Sequence, residues 1–177
     1  MDVISVIGSS KSGKTTTVEY IISNLSGQGY KVGSAKHVHH SNFTLDVQGK
    51  DTWRHAKSGS VRVACVSESE VAVIRKENGN EYTFEDIMKL FSDETFDFII
   101  LEGFHQIVST RKDTIKIITA KDEQDAERAL KGTSQPIIAV TGKISNTQQG
   151  EIQNTPIINI KTEGYNLIRK ITEQNKQ

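Results

Sequence analysis

The chain has 177 residues, with 22 lysines and arginines against 22 aspartates and glutamates, and a formal net charge of zero. That balance argues against a nucleic-acid coat and against a basic protein of the membrane surface, since both depend on surplus cations, so neither nucleic acid nor membrane is expected among its partners. One cysteine excludes a disulfide framework, no apolar run nears the ~20 residues of a membrane span, and the first strand pattern starts within two residues of Met1, so a soluble, cytoplasmic protein without a signal peptide is expected.

Residues 3–7 are rich in β-branched side chains and predict a buried strand. Gly8-Ser9-Ser10-Lys11-Ser12-Gly13-Lys14-Thr15 follows and fits G-x-x-x-x-G-K-[ST], the phosphate-binding P-loop. Residues 16–25 then carry Val18, Ile21, Ile22 and Leu25 at helical spacing. Strand, glycine-rich turn and helix in that order make a phosphate cradle. The turn's N–H groups point inward, and the helix N-terminus adds partial positive charge. In this pattern Lys14 reaches the β- and γ-phosphates and the Thr15 hydroxyl ligates Mg²⁺, while Ser9 to Ser12 and Thr16 complete the loop.

Residues 26–29 stop the helix, and 30–35 predict a second strand. A polar segment comes next, with His37, His39, His40, Phe43 and Asp46, leading to a short helix over 50–57 closed by Ser58-Gly59. Residues 61–66 and 71–74 predict two strands with no helix between them, and so a hairpin at one edge of the sheet, with Cys65 as a buried strand residue. Asn78-Gly79-Asn80 predicts a turn. Thr83 is an N-cap, paired with Asp86, for a helix through Phe91. Residues 96–101 form the most apolar strand pattern, 115–119 another, and 122–130 a weakly amphipathic helix. Residues 136–140 and 156–160 predict the last strands, each opened by a proline, with a mobile loop over 143–153 between them. Residues 164–174 predict a closing helix on Tyr165, Leu167, Ile168 and Ile171. Alternating strands and helices imply one domain over 1–177, an α/β P-loop fold with a mostly parallel central sheet and helices on both faces. Ligands of such sheets bind at the carboxyl ends of the strands, where strand order reverses. The P-loop, the histidine segment and Glu102 all follow predicted strand ends.

Phe98-Ile99-Ile100-Leu101 leads directly to Glu102, a Walker-B-like arrangement in which the carboxylate acts on Mg²⁺ or orients a water. Lys14 and Glu102 are therefore the candidate catalytic pair, and Thr15, Glu102 and Asp46 the candidate metal ligands. Asp97, at the start of that strand, is assigned a structural role. His37, His39 and His40 admit two readings. One is a zinc or nickel site. The favoured one is anion or partner binding, in company with Lys36, Lys50 and Arg54. His105 is placed near the same mouth.

These segments occur in one order: Gly8 to Thr16, then Lys36-His37-Val38-His39-His40, then Gly49-Lys50-Asp51-Thr52-Trp53-Arg54-His55, then Leu101-Glu102-Gly103-Phe104. In that order the chain resembles the MobB family, GTP-binding accessory proteins of molybdopterin-guanine dinucleotide biosynthesis. The resemblance covers most of the chain and is loose after Phe104. It implies GTP with Mg²⁺, weak GTP hydrolysis, a homodimer, and work beside the molybdenum cofactor guanylyltransferase that joins GMP to molybdopterin. By match, Lys14 and Thr15 carry over as phosphate and Mg²⁺ contacts and Glu102 as the Walker-B acid. The 37–55 segment carries over as a family feature facing pterin or partner. The stretch from His40 to Gly49 is one residue longer than the family pattern, and Gln48 stands where that pattern has proline, which loosens the assignment of Asp46.

The guanine-reading Asn/Thr-Lys-x-Asp element is absent: Thr141-Gly142-Lys143 follows a strand, but no aspartate comes after it. GTP therefore rests on the resemblance, and nucleoside triphosphate on the motif. A small-molecule kinase is the competing enzyme class, although residues 143–153 lack the arginines of a kinase lid. A metal-delivery GTPase using the histidines is the third reading. Arg54 and Arg111 are the candidates for an arginine finger supplied by the chain itself.

Overall fold

The computed structural model describes residues 1–39, 43–76 and 82–174. The chain divides into two compact units, one of Met1–His37 with Thr83–Gln177, the other of Val38–Tyr82.

In the larger unit, five parallel strands lie in the order β2-β5-β1-β6-β7. They are β1 (Asp2–Gly8), β2 (Val32–Lys36), β5 (Phe98–Glu102), β6 (Thr114–Ala120) and β7 (Ile137–Gly142). Every residue of β5 and β6 is buried, as expected of parallel strands covered on both faces. Alternation along the strands sends successive side chains to opposite faces. Ile4, Val6, Phe98, Ile100 and Ile117 meet α1 (Lys14–Gly27) through Val18, Ile21 and Leu25, and α6 (Gly164–Gln174) through Leu167, Ile168 and Ile171. Val3, Ile7, Ile99, Leu101 and Ile118 meet α3 (Phe84–Lys89), α4 (His105–Val108) and α5 (Glu123–Lys131) on the other face, through Ile87, Val108, Ala126 and Leu130. Each such buried side chain contributes about 1.5–3 kcal/mol relative to exposure. The sheet class, the parallel order and the helices on both faces are as the sequence indicates.

Several expectations change. The segment over 156–160 is not a sheet strand. Ile157 and Ile158 are buried, but the contact with β7 is an isolated parallel bridge between Val140 and Ile157, with the Ile158 N–H donating to Val140 O, while the Ile157 N–H goes to Gly150 O. The ladder residues there are β8 (Glu151–Ile152) and β9 (Thr155–Pro156), a two-stranded pair in which Pro156 ends its strand. The loop expected over 143–153 opens as a 3₁₀ turn at Lys143–Asn146, with Ile144 and Ser145 buried, so it is built structure. Helix α5 is more strongly two-sided than its polar sequence suggests, burying Asp125, Ala126 and Leu130. Tyr165 stays exposed and leaves the core face of α6 to its neighbours. The capping box at Thr83 and Asp86 is present, with the Asp86 carboxyl lowered to about 2 first by the Thr83 hydroxyl and then by Lys89. Asp97 accepts from the Lys31 N–H at 2.7 Å, a structural role as assigned.

The smaller unit holds α2 (Asp51–Lys57) and the antiparallel pair β3 (Arg62–Val66) and β4 (Val71–Arg75). The hairpin expected at an edge of the central sheet is thus present, but as a two-stranded sheet of its own. Helix α2 packs against β3, and Val63 is buried while Val66, Val71 and Val73 are exposed. Cys65 is likewise exposed rather than buried. The turn expected at 78–80 lies outside the described residues.

Candidate functional site

The phosphate loop starts where β1 ends, and its floor is set by a close approach. A Cβ on Gly8 would stand 2.1 Å from Thr119 O, so only glycine fits between β1 and β6. Ser12 is fully buried. Its hydroxyl donates to Ser9 O at 2.9 Å and meets the Thr119 hydroxyl at 2.7 Å. Ser9 Oγ donates to Asp125 Oδ2 at 2.7 Å. Beyond β7, Lys143 N–H donates to Ser12 O at 3.1 Å. The loop is therefore braced by β6, α5 and the turn after β7. Asp125 and Thr119 were not picked out by sequence reasoning, because nothing local marks them; strand order alone brings them here, beside the Lys143 that follows β7.

Lys14 Nζ lies in the mouth of the loop, donating to Gly8 O at 2.9 Å and Ser9 O at 2.7 Å. Its pKa is lowered, first by burial and also by Lys36, against the opposing pull of Glu102 and Asp125. Thr15 Oγ1 donates to Glu102 Oε1 at 2.8 Å. Glu102 is buried and also takes the Lys36 ammonium, 3.0 Å from the same oxygen. Ser10, Lys11, Gly13, Lys14, Thr15, Thr16, Glu102 and Lys143 line one cleft of about 440 Å³. The P-loop, Thr15 and Glu102 are thus together as expected, and Lys143 joins them.

The donor set fits Mg²⁺. Because the Thr15 hydroxyl gives its proton to Glu102, its oxygen lone pairs are left for a cation, and a buried carboxylate supplies the charge; hard oxygen donors of this kind suit Mg²⁺. A polyphosphate fits the loop, whose inward N–H groups and helix N-terminus favour anions.

The other expected residues divide. His37 ends the larger unit, its ring tilted over Phe104 with centroids 5.4 Å apart. Asp46 belongs to the smaller unit and is buried. Its Oδ1 accepts from Thr52 Oγ1 at 2.8 Å, and its Oδ2 is buried with no hydrogen-bond partner among the described residues. Lys50 caps α2, and Arg54 lies 3.6 Å from Asp51 on that helix. His39 is exposed and His40 lies outside the described residues. Among the described residues, no three His, Cys, Asp or Glu side chains gather as a metal site.

Two placements are corrected. His105 does not face the mouth; its Nε2 meets Gly132 O at 3.2 Å, beyond the C-terminal end of α5. Arg111 is held by Asp113 and Glu85 and stacks on Phe84, with its guanidinium carbon 3.7 Å from the ring centroid. It precedes β6, so it sits at the end of the parallel sheet opposite the phosphate loop and is not placed to act as a finger.

Past Lys143 a second, polar cleft of about 510 Å³ opens, lined by residues including Ser145, Asn146, Gln148, Asn159, Thr162 and Glu163. Asn159 Nδ2 donates to Ser145 O at 2.9 Å and joins its two walls. No described helix is long and apolar enough to cross a membrane.

A parallel α/β sheet with a glycine-rich loop at the strand beside which order reverses, faced by a carboxylate from the adjacent strand, is the architecture of the P-loop NTPase-like α/β fold. The family described as molybdopterin guanine dinucleotide synthesis protein B, MobB, matches residues 3–143, and the chain belongs to it. It is 32% identical over 103 residues to the molybdopterin-guanine dinucleotide biosynthesis adapter protein of Haemophilus influenzae, covering 58% of this chain and 57% of that protein. It is 30% identical over 127 residues to a putative adapter protein of the same description from Methanocaldococcus jannaschii, covering 72% of this chain and 50% of that one. The matches thus span about half the length of these relatives. Bacillus subtilis MobB has the same fold, with a TM-score of 0.76 over 98% of both chains at 21% identity.

Proposed function

We propose that the chain binds GTP with Mg²⁺ as a cytoplasmic accessory protein of molybdopterin-guanine dinucleotide formation, working beside the guanylyltransferase that joins GMP to molybdopterin. The observation that carries this is the Thr15–Glu102 hydrogen bond at the mouth of the loop that holds Lys14. The loop N–H groups and Lys14 hold the triphosphate, and Thr15 and Glu102 hold the ion. The ion, when bound, neutralises charge building on the β- and γ-phosphates. Glu102 keeps Thr15 oriented toward it. Hydrolysis is weak, as the resemblance implies, and Arg111, one of the two candidate fingers, is occupied at the far end of the sheet, where a finger's ~10³ or more in rate is not supplied.

The base takes the polar cleft beyond Lys143. Strands lie about 4.8 Å apart, so β7 stands roughly 10 Å from β1, two strands over. The Glu163 carboxylate there complements the N1–H and N2–H groups of guanine, whereas adenine offers an acceptor at N1. This takes the place of the missing aspartate after Lys143. The exposed row of Val66, Val71 and Val73 on the β3–β4 sheet supports a homodimer, and the 37–55 segment is assigned to pterin or partner contact. Calorimetric titration with GTP and with ATP, each with Mg²⁺, tests the reading. Preference for GTP is expected. Equal or tighter ATP binding would overturn it in favour of a kinase.

A further inference from the structure

Strand register puts a lysine beside a glutamate at the ligand end of the sheet. Lys36 ends β2, Glu102 ends β5, and the two are partners in the parallel ladder. The pairing runs one step further, with His37 N–H donating to Glu102 O at 2.9 Å. From there Lys36 Nζ approaches Glu102 Oε1 to 3.0 Å and donates to Thr15 Oγ1 at 3.3 Å. Since Thr15 spends its own proton on Glu102 Oε1, the lone pairs of its oxygen are what the ammonium meets. The charge of Lys36 thus rests on the two oxygens assigned above to Mg²⁺. The pair is lopsided in burial: the lysine side chain is 56% exposed and the glutamate side chain 9%. One partner is fixed, and the other swings on a flexible four-carbon stem with rotatable donors.

We propose that Lys36 is the resident cation of this site: it competes with divalent metal for Thr15 Oγ1 and Glu102 Oε1, and on yielding them it turns its ammonium onto the nucleotide's phosphates. The proposal rests on the reading of the cleft as a Mg²⁺–nucleotide site. Two cations cannot share these lone pairs. An ammonium hydrogen-bonds at about 2.9 Å and Mg²⁺ bonds at about 2.1 Å, and at such separations they repel. The displaced ammonium is drawn to the nearest anion, the triphosphate on the loop. Lys36 then supplies from within the chain a mobile positive charge at the phosphates, the service that Arg111 is not placed to give. It also keeps the buried Glu102 carboxylate paired.

The test uses the full chain and Mn²⁺, whose binding is read by electron paramagnetic resonance without turnover. Wild type, Lys36→Met and Lys36→Arg are titrated with Mn²⁺ alone, and separately with GTP in EDTA. Lys36→Met is expected to bind Mn²⁺ about tenfold more tightly than wild type, the order set by removing a unit charge from beside a partly exposed site, and to bind metal-free GTP about tenfold more weakly, because without metal Lys36 is the cation that screens the Glu102 carboxylate from the triphosphate. Lys36→Arg should stay within about threefold of wild type in both titrations, because the charge is kept. Lys36→Gln gives the same contrast should methionine disturb the strand end. Unchanged or weaker Mn²⁺ binding by folded Lys36→Met would overturn the proposal. If GTP binds wild type and that contrast is missing, Lys36 loses its role and the nucleotide reading stands. If the Mn²⁺ contrast holds and GTP does not bind, the nucleotide reading falls.

Discussion

Ser9 Oγ donates a 2.7 Å hydrogen bond to Asp125 Oδ2, tying the phosphate loop to α5 across 116 positions of sequence. The same oxygen takes the Lys121 N–H at 3.0 Å. Burial pushes the Asp125 carboxyl up, but Ser9, Lys121 and Arg128 outweigh it, and its pKa ends lowered. A carboxylate whose folded value lies below its unfolded one adds stability that is present above the unfolded value, about 3.9, and lost as pH falls through the folded value. Asp125→Asn is therefore expected to cost about 1–2 kcal/mol at pH 7. The gap to wild type should close as pH drops below about 4. Urea melts of both proteins at pH 7 and at pH 3 check this; a gap that widens in acid contradicts it.

Gly142 closes the other side of the loop. A Cβ there would lie 2.3 Å from Ser12 O and 3.0 Å from Ala120 O, and φ is +93°. Gly142→Ala must therefore move the backbone that Lys143 N–H and Ser12 O hold together. Destabilisation of about 1–3 kcal/mol is expected, with weaker triphosphate binding although no residue of the P-loop motif has changed. Thermal melts and a GTP titration read the two effects. Unchanged affinity would mean that the loop does not depend on this brace.

What the sequence discloses here is what is local. Gly8 to Thr15, the Thr83 capping box and the apolar run into Glu102 each carry their signal within a few residues, and each is where it was expected. Contacts fixed by strand order are hidden from it. Lys36 and Glu102 are 66 positions apart and meet only because β2 pairs with β5, and Asp125 reaches Ser9 only because β6 lies beside β1. The apolar pattern at 156–160 does report burial, with Ile157 in one core and Ile158 in the other, but an isolated bridge to Val140 leaves the same apolar signature as a full ladder. Cys65 fails for the converse reason: its strand pattern is real, yet it lies in a two-stranded sheet of its own, and Val63 is the residue of β3 that is buried.

Lys14 and Glu102 separate binding from chemistry. Lys14→Ala should abolish detectable triphosphate binding while leaving the fold intact, because the Lys14 ammonium is held by the loop carbonyls of Gly8 and Ser9 and braces no distant element. Glu102→Gln should keep nucleotide affinity within about tenfold and weaken the Mg²⁺-dependent turnover more strongly, because the amide no longer carries the charge that orients Thr15. Calorimetry and phosphate release measure the two. Retained GTP binding in Lys14→Ala would end the P-loop assignment, and unchanged turnover in Glu102→Gln would make that residue a structural one.

Guanine selectivity is the last expectation, and it bears on Glu163. This residue lines the polar cleft beyond Lys143 and donates its backbone N–H to Asn159 O at 2.8 Å, so its main chain is anchored on the segment whose Asn159 side chain holds Ser145 O. A carboxylate accepts from both N1–H and N2–H of guanine, and an amide can accept through one atom only. Glu163→Gln is therefore expected to weaken GTP by about tenfold, the loss of roughly one charge-assisted hydrogen bond, and to leave ATP affinity unchanged. Inosine triphosphate, which lacks the N2 amino group, should bind wild type more weakly than GTP and lose less on the substitution. Competition titrations with the three nucleotides decide it. Equal loss for GTP and ATP would show that Glu163 shapes the cleft without reading the base, and no loss for either would place the base elsewhere.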